Sequence, residues 1–209
     1  MQSRKGKILV ITLIVCAMAI VSIGSLAWFT ATDKVENTIK LASDFDISVI
    51  ETGATDGKNE YKNVIPGQTI SKDPTIKNTG SISEWVRVNV TLSNYSVWAA
   101  VFDGKGTVDL STIFGGFDSN VWTRPGGGVP TPNEDGSITY TFYLNYQLGK
   151  GESYKLFDSV TIPSSLTLEQ AKSFGESGFT ITVEAEAIQV EHLPEGIDSA
   201  QKAFAFLEE

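Results

Sequence analysis

Trp85-Val86-Arg87-Val88-Asn89-Val90-Thr91-Leu92 alternates without a break. Val86, Val88, Val90 and Leu92 fall on one side, and Arg87, Asn89 and Thr91 on the other. Successive side chains of a strand point to opposite faces, so the octapeptide predicts a strand with one buried and one wet face. The same rhythm recurs on both sides of it. Upstream, Phe45, Ile47 and Val49 alternate with Asp44, Asp46 and Ser48. Downstream, Ile138, Tyr140, Phe142, Leu144 and Tyr146 share a face opposite Thr139, Thr141 and Asn145. Phe179, Ile181, Val183, Ala185 and Ala187 alternate with Thr180, Thr182, Glu184 and Glu186. One-sided strands belong to antiparallel sheets packed face to face or closed on themselves.

The connectors agree. Pro66-Gly67 and Asn78-Thr79-Gly80 bracket residues 68–77, and Lys150-Gly151 precedes a run from Tyr154 to Ile162 that stops at Pro163. Such punctuation marks turns, and no βαβ rhythm appears. The fold expected is mostly β: an antiparallel, jelly-roll-like β-sandwich over residues 41–192. Two short helices interrupt it. One spans 167–174, capped by Thr167. The other lies in a tail of residues 193–209, capped by Asp198, with Ala203, Phe206 and Leu207 as its apolar stripe. Residues 124–136, with three consecutive glycines and three prolines, read as a surface loop, and Asp103-Gly104-Lys105-Gly106 as a hairpin turn.

The N-terminus has another character. Arg4, Lys5 and Lys7 precede a stretch from Ile8 to Thr32 without a charge, and Ser25-Leu26-Ala27 is a small-x-small triplet. Basic, apolar and small-residue regions in that order describe a secretory signal helix over residues 1–27, cleaved after Ala27 so that the exported chain begins at Trp28. The uncharged run is also long enough to span a bilayer, which leaves a retained anchor as the alternative. Membrane contact is expected only through this segment.

The chain has 209 residues, 41% of them hydrophobic, with 16 basic and 25 acidic side chains. Removing residues 1–27 takes three basic residues away, so the net charge moves from −9 to −12. An acidic chain without a basic block has little means of neutralising phosphates, so nucleic acid is not an expected partner. Cys16 is the one cysteine and His192 the one histidine. Those counts exclude disulfide frameworks, CxxC pairs and His-rich zinc sites. G-x-S-x-G and HExxH are absent, and Gly126-Gly127-Gly128 lacks the Lys-Ser/Thr of a phosphate loop. Asp44 and Asp46 are not followed by an EF-hand-like series of oxygen ligands and read as a solvated face. His192 reads as a solvated loop residue. Trp85, Trp98 and Trp122 are read as core residues, with a sugar-stacking platform as the alternative. No catalytic residue, metal ligand or cofactor is expected.

Ser25-Leu26-Ala27-Trp28-Phe29-Thr30-Ala31-Thr32 leads into Asn37-Thr38-Ile39 and the strand at Phe45. Pro66-Gly67-Gln68, Lys72-Asp73-Pro74-Thr75-Ile76-Lys77-Asn78-Thr79-Gly80, Trp85-Val86-Arg87-Val88, Gly151-Glu152, Leu156-Phe157 and Ala185-Glu186-Ala187-Ile188-Gln189 follow. In order and spacing this resembles the TasA/camelysin family of Gram-positive exported proteins. The resemblance implies a jelly-roll-like fold, processing by a dedicated signal peptidase of the SipW type, and extracellular fibres of a biofilm matrix. Camelysin members are described as casein-cleaving metalloproteases, and this chain offers no recognisable zinc ligands for that activity. The function expected is a secreted, non-enzymatic matrix or surface-fibre subunit; a camelysin-like surface protease and a glycan-binding module are the alternatives.

Self-association has a physical rationale. An exposed sheet edge offers unpaired N–H and C=O groups to another chain. Residues 28–40 carry Trp28, Phe29, Val35 and Ile39 outside the main series of strands, and such a peptide can complete a neighbour's sheet. Phe29 and Val35 are the expected anchors. The alternative is that the segment folds back as the domain's own first strand.

Overall fold

The computed structural model describes residues 30–34, 37–38, 45–54, 59–61, 64–101, 113–126, 130–174 and 178–208, the first two segments through their backbone alone. The described residues are mostly strand, and among them are three antiparallel sheets, three short helices and no closed barrel. The largest sheet has six strands: β1 (Thr30–Lys34), β2 (Asn37–Thr38), β6 (Glu84–Leu92), β8 (Trp122–Thr123), β9 (Ile138–Leu144) and β12 (Ile181–Gln189). Their spatial order is β2-β1-β12-β6-β9-β8. A second sheet orders β10 (Ser153–Lys155), β5 (Thr75–Asn78) and β3 (Ile47–Ile50). A third orders β4 (Thr69–Ser71), β11 (Ser159–Thr161) and β7 (Phe114–Gly115).

The alternating octapeptide is the centre of the largest sheet. Strand β6 pairs with β12 along one side and β9 along the other, so its backbone groups are used in both directions. Val86, Val88, Val90 and Leu92 are fully buried. They lie in register with Ala187, Ala185, Val183 and Ile181 of β12, and the last three with Phe142, Tyr140 and Ile138 of β9. Val88 lies between the Phe142 ring of β9 and the small Ala185 of β12, and large-against-small pairing of this kind lets a layer close without voids. Ile47 and Ile76 of the second sheet and Phe114 and Val160 of the third join the same core. Each fully buried Val, Leu or Ile contributes roughly 1.5–3 kcal/mol, so this shared interior is the main stabilising term.

Three expectations are corrected. Residues 68–77 hold two strands, β4 and β5, and the run from Tyr154 to Ile162 lies across β10 and β11; Asp73-Pro74 and Phe157-Asp158 separate them, Pro74 having no N–H to give a ladder. Strand β9 ends at Leu144, and Tyr146 stands exposed beyond it. A third helix, α1 (Tyr95–Val101), follows β6 directly. Its Trp98 packs edge-on against Phe179 at 4.7 Å and Phe174 at 5.7 Å between ring centroids.

Helix α2 (Leu168–Ser173) forms as expected. Thr167 accepts the Gln170 N–H, and the Gln170 side chain takes the Thr167 N–H, a reciprocal cap. Helix α3 (Ala200–Glu208) is capped by Ser199 rather than Asp198, since the Ser199 hydroxyl accepts the Lys202 N–H. Its buried stripe is Ala200, Ala203 and Phe204, while Phe206 is exposed. These residues cover Trp85 and Ile188, so the outer face of the large sheet is dry where α3 lies on it. The signal helix over residues 1–27, Asp44 and the hairpin at 103–106 lie outside the described residues.

Candidate functional site

The candidate site is the outer flank of β12. On its inner side β12 is held by all nine residues to β6. On its outer side β1 runs antiparallel to it, with Thr30 opposite Ile188, Ala31 opposite Ala187, Thr32 opposite Glu186, Asp33 opposite Ala185 and Lys34 opposite Glu184. Among the described residues, β1 is followed outward by β2, two residues long, with Asp33 opposite Thr38 and Lys34 opposite Asn37. The ladder suits the local sequence. Residues 28–40 contain no proline, so every position can donate to a neighbouring strand, and Thr30 and Thr32 are β-branched.

Part of the segment expected to reach a neighbour is therefore placed as a strand on its own chain. Ser25, Ala27 and Trp28, the expected cleavage residues, and Phe29 and Val35, the expected anchors, lie outside the described residues. The backbone geometry is nonetheless informative. Without β1, the outward N–H and C=O groups between Glu184 and Ile188 would have no partner, and β12 would be the sheet's edge.

The wet face beside this flank is stiffened by a polar ladder. Arg87 sits between Glu186 and Tyr143 in register. Its Nε and Nη2 donate to Glu186 Oε2 at 3.2 and 2.6 Å, and its Nη1 donates to Glu208 of α3. The guanidinium carbon lies 4.2 Å from the centre of the Phe204 ring. Asn89 donates to the other Glu186 oxygen at 2.9 Å and accepts from Thr141 at 2.8 Å. Burial disfavours the Arg87 charge, but Glu208 and Glu186 more than compensate and raise its pKa above the ordinary arginine value. Glu186 is thereby locked directly opposite Thr32.

Other sequence candidates resolve plainly. Trp85, Trp98 and Trp122 are all buried, so they offer no exposed stacking platform. The Trp122 Nε1 donates to the Lys155 carbonyl at 2.8 Å, tying β8 to β10. His192 is exposed in the turn after β12, with a left-handed φ of 68°. Asp46 is half-buried rather than solvated and precedes β3. Its carbonyl accepts the N–H groups of Thr79 and Gly80 at 2.9 and 3.0 Å, and its carboxylate accepts the Thr79 hydroxyl at 2.9 Å. Among the described residues, no three His, Cys, Asp or Glu side chains converge as a metal cluster. No helix among them is long and apolar enough to cross a membrane.

Sequence reasoning missed Glu84. It is fully buried, and neither carboxylate oxygen makes a hydrogen bond of normal distance and angle, the Asp46 N–H acting on it only from beyond that geometry. Burial first, and the nearby Asp46 charge second, push its pKa up to about 8, against the opposing pull of the Asp46 N–H. The signal was present: Glu84 shares the parity of Val86, Val88 and Val90, so the pattern that predicts the strand also turns this carboxyl inward.

No protein-family model, curated protein or solved structure matches the chain.

Proposed function

We propose that this chain is a secreted structural protein, a matrix or surface-fibre subunit that assembles by strand addition through residues 28–40. The observation that carries the reading is the position of β1: five residues laddered to the outer flank of β12, with the two-residue β2 beyond it among the described residues. The same ladder can be made by the β1 segment of a second copy, because main-chain hydrogen bonds do not distinguish one identical chain from another. Phe29 and Val35 flank the laddered residues and supply the side-chain anchors. The six-stranded sheet on one side, and the two three-stranded sheets on the other, form a two-layer sandwich of jelly-roll type around the shared core.

The signal-like residues 1–27 support export, with cleavage between Ala27 and Trp28 by a signal peptidase. While attached, they hold β1 at the membrane; cleavage frees it, so processing gates assembly. The ordered resemblance to TasA/camelysin proteins supports a matrix role, and the absence of recognisable zinc ligands in the sequence supports a non-enzymatic one.

Deletion of residues 28–37 tests the proposal. The variant is expected to keep β-type circular dichroism and to sediment as a monomer where the parent forms high-mass species. Polymerisation of the truncated chain would contradict strand addition through this segment. Unfolding would show that β1 serves only its own domain.

A further inference from the structure

Asn78 closes β5 and Glu84 opens β6; the five residues between them carry the chain from one sheet to another. Both side chains are 0% exposed. The Leu148 carbonyl joins them, accepting from Asn78 Nδ2 at 2.9 Å and from the Glu84 backbone N–H at 3.1 Å. The second Nδ2 proton of Asn78 goes to the Ile82 carbonyl at 2.6 Å. The amide plane is thus fixed, and Oδ1 is left without a donor; the Glu84 oxygens make no hydrogen bond of normal geometry, with the Asp46 N–H acting on the carboxylate from farther off. Asp46 belongs to the same corner: its carbonyl and carboxylate hold Thr79 and Gly80 at the start of the crossing, and its charge acts on Glu84.

Three fully buried oxygens without a hydrogen bond of normal geometry are costly, at about 1–3 kcal/mol for each unsatisfied group. A protonated Glu84 supplies one hydrogen and satisfies one acceptor. A cation held between the two side chains would take these oxygens as ligands and offset the Asp46 charge as well. We propose that Asp46, Asn78 and Glu84 form a site for a hard divalent cation, and that calcium is the ion their all-oxygen donor set selects. Calcium accepts carboxylate, amide and backbone oxygens in irregular arrangements, whereas zinc and copper favour the imidazole and thiolate ligands absent from this corner. Two carboxylates and one amide leave the remaining positions to backbone carbonyls and water. That places the site in the weak class of extracellular modules, with a dissociation constant of about 10⁻⁴–10⁻³ M. The bound ion pins β3 and β5 to β6 where the chain crosses between sheets. The site is independent of strand addition.

Calorimetric titration of the chelator-stripped, purified chain with calcium chloride, alongside thermal unfolding, tests the site. One ion per chain is expected, with the melting temperature raised by about 3–6 °C at tenfold the dissociation constant. Glu84→Gln should abolish both effects, and Asp46→Asn should weaken binding at least tenfold. Because Asp46 is only half-buried, its variant carries the comparison should Glu84→Gln fail to fold. Absence of both heat and shift up to about 10 mM calcium would overturn the site. So would calcium binding left unchanged in every folded variant, since the ion would then be held elsewhere on the acidic surface.

Discussion

Glu84 is where a single side chain sets a measurable property of the whole fold. Its pKa is about 8 in the folded chain, against an ordinary value of 4.5. The folded state therefore holds a proton there that the unfolded state gives up between those values. Stability from this group is fully present below about pH 4.5 and is lost as pH rises through 8. With a chelator present, denaturant midpoints should fall across that window. Glu84→Gln should flatten the fall and be the more stable chain at pH 9, by on the order of 2–5 kcal/mol. An unchanged pH profile in the variant would show that Glu84 ionises as freely folded as unfolded. A glycine provides a second check. Gly116 has φ 79°, and a Cβ there would run into the Asp158 side chain. Gly116→Ala should cost about 1–3 kcal/mol in chemical denaturation. The sequence displayed the parity that buries Glu84, yet gave no sign that Asn78 would join it. Asn78 reads locally as a turn residue beside Thr79-Gly80, and only the pairing of β5 with β3 turns it inward opposite Ile47.

Among the elements, period-two strands were the most legible, because one buried face imposes its pattern on every second residue. Strands β6, β9 and β12 were visible in this way. Helix α1 was not: Tyr95-Ser96-Val97-Trp98 is rich in aromatic and β-branched residues, which helices do not favour. It is helical because Trp98 fills a pocket against Phe174 and Phe179, partners about eighty residues away that no local window contains. Helix α3 was legible as a helix and largely in phase. Of the expected stripe Ala203, Phe206 and Leu207, only Phe206 turns outward, Ala200 and Phe204 complete the covered face, and the cap is Ser199 in place of Asp198. Phe204 touches both Trp85's cluster and the Arg87 guanidinium. Phe204→Ala should therefore cost about 3–5 kcal/mol, and early hydrogen exchange along 200–208 should follow. Arg87→Met, which removes the pairs to Glu186 and Glu208 but keeps the stem, should cost less in the same measurement. Equal losses would mean that the charges, and not the ring, hold α3 in place.

For the whole molecule, the large sheet was legible and its outer boundary was not. The residues of β12 show a strand, but nothing in them says whether the strand beside it comes from the same chain or another. A five-residue ladder satisfies the same hydrogen bonds in either case, and the choice depends on concentration. Residues 28–209 contain no cysteine, so in a chain of those residues Ala31 and Ala187, which face each other in the register, can each be replaced by cysteine in separate proteins. Mixing Ala31→Cys with Ala187→Cys under assembly conditions and mild oxidation reads the central claim directly. The account predicts a disulfide joining the two variants, recovered in the high-mass species and absent when residue 31 is unchanged. High-mass species that form without any such cross-chain disulfide would contradict it.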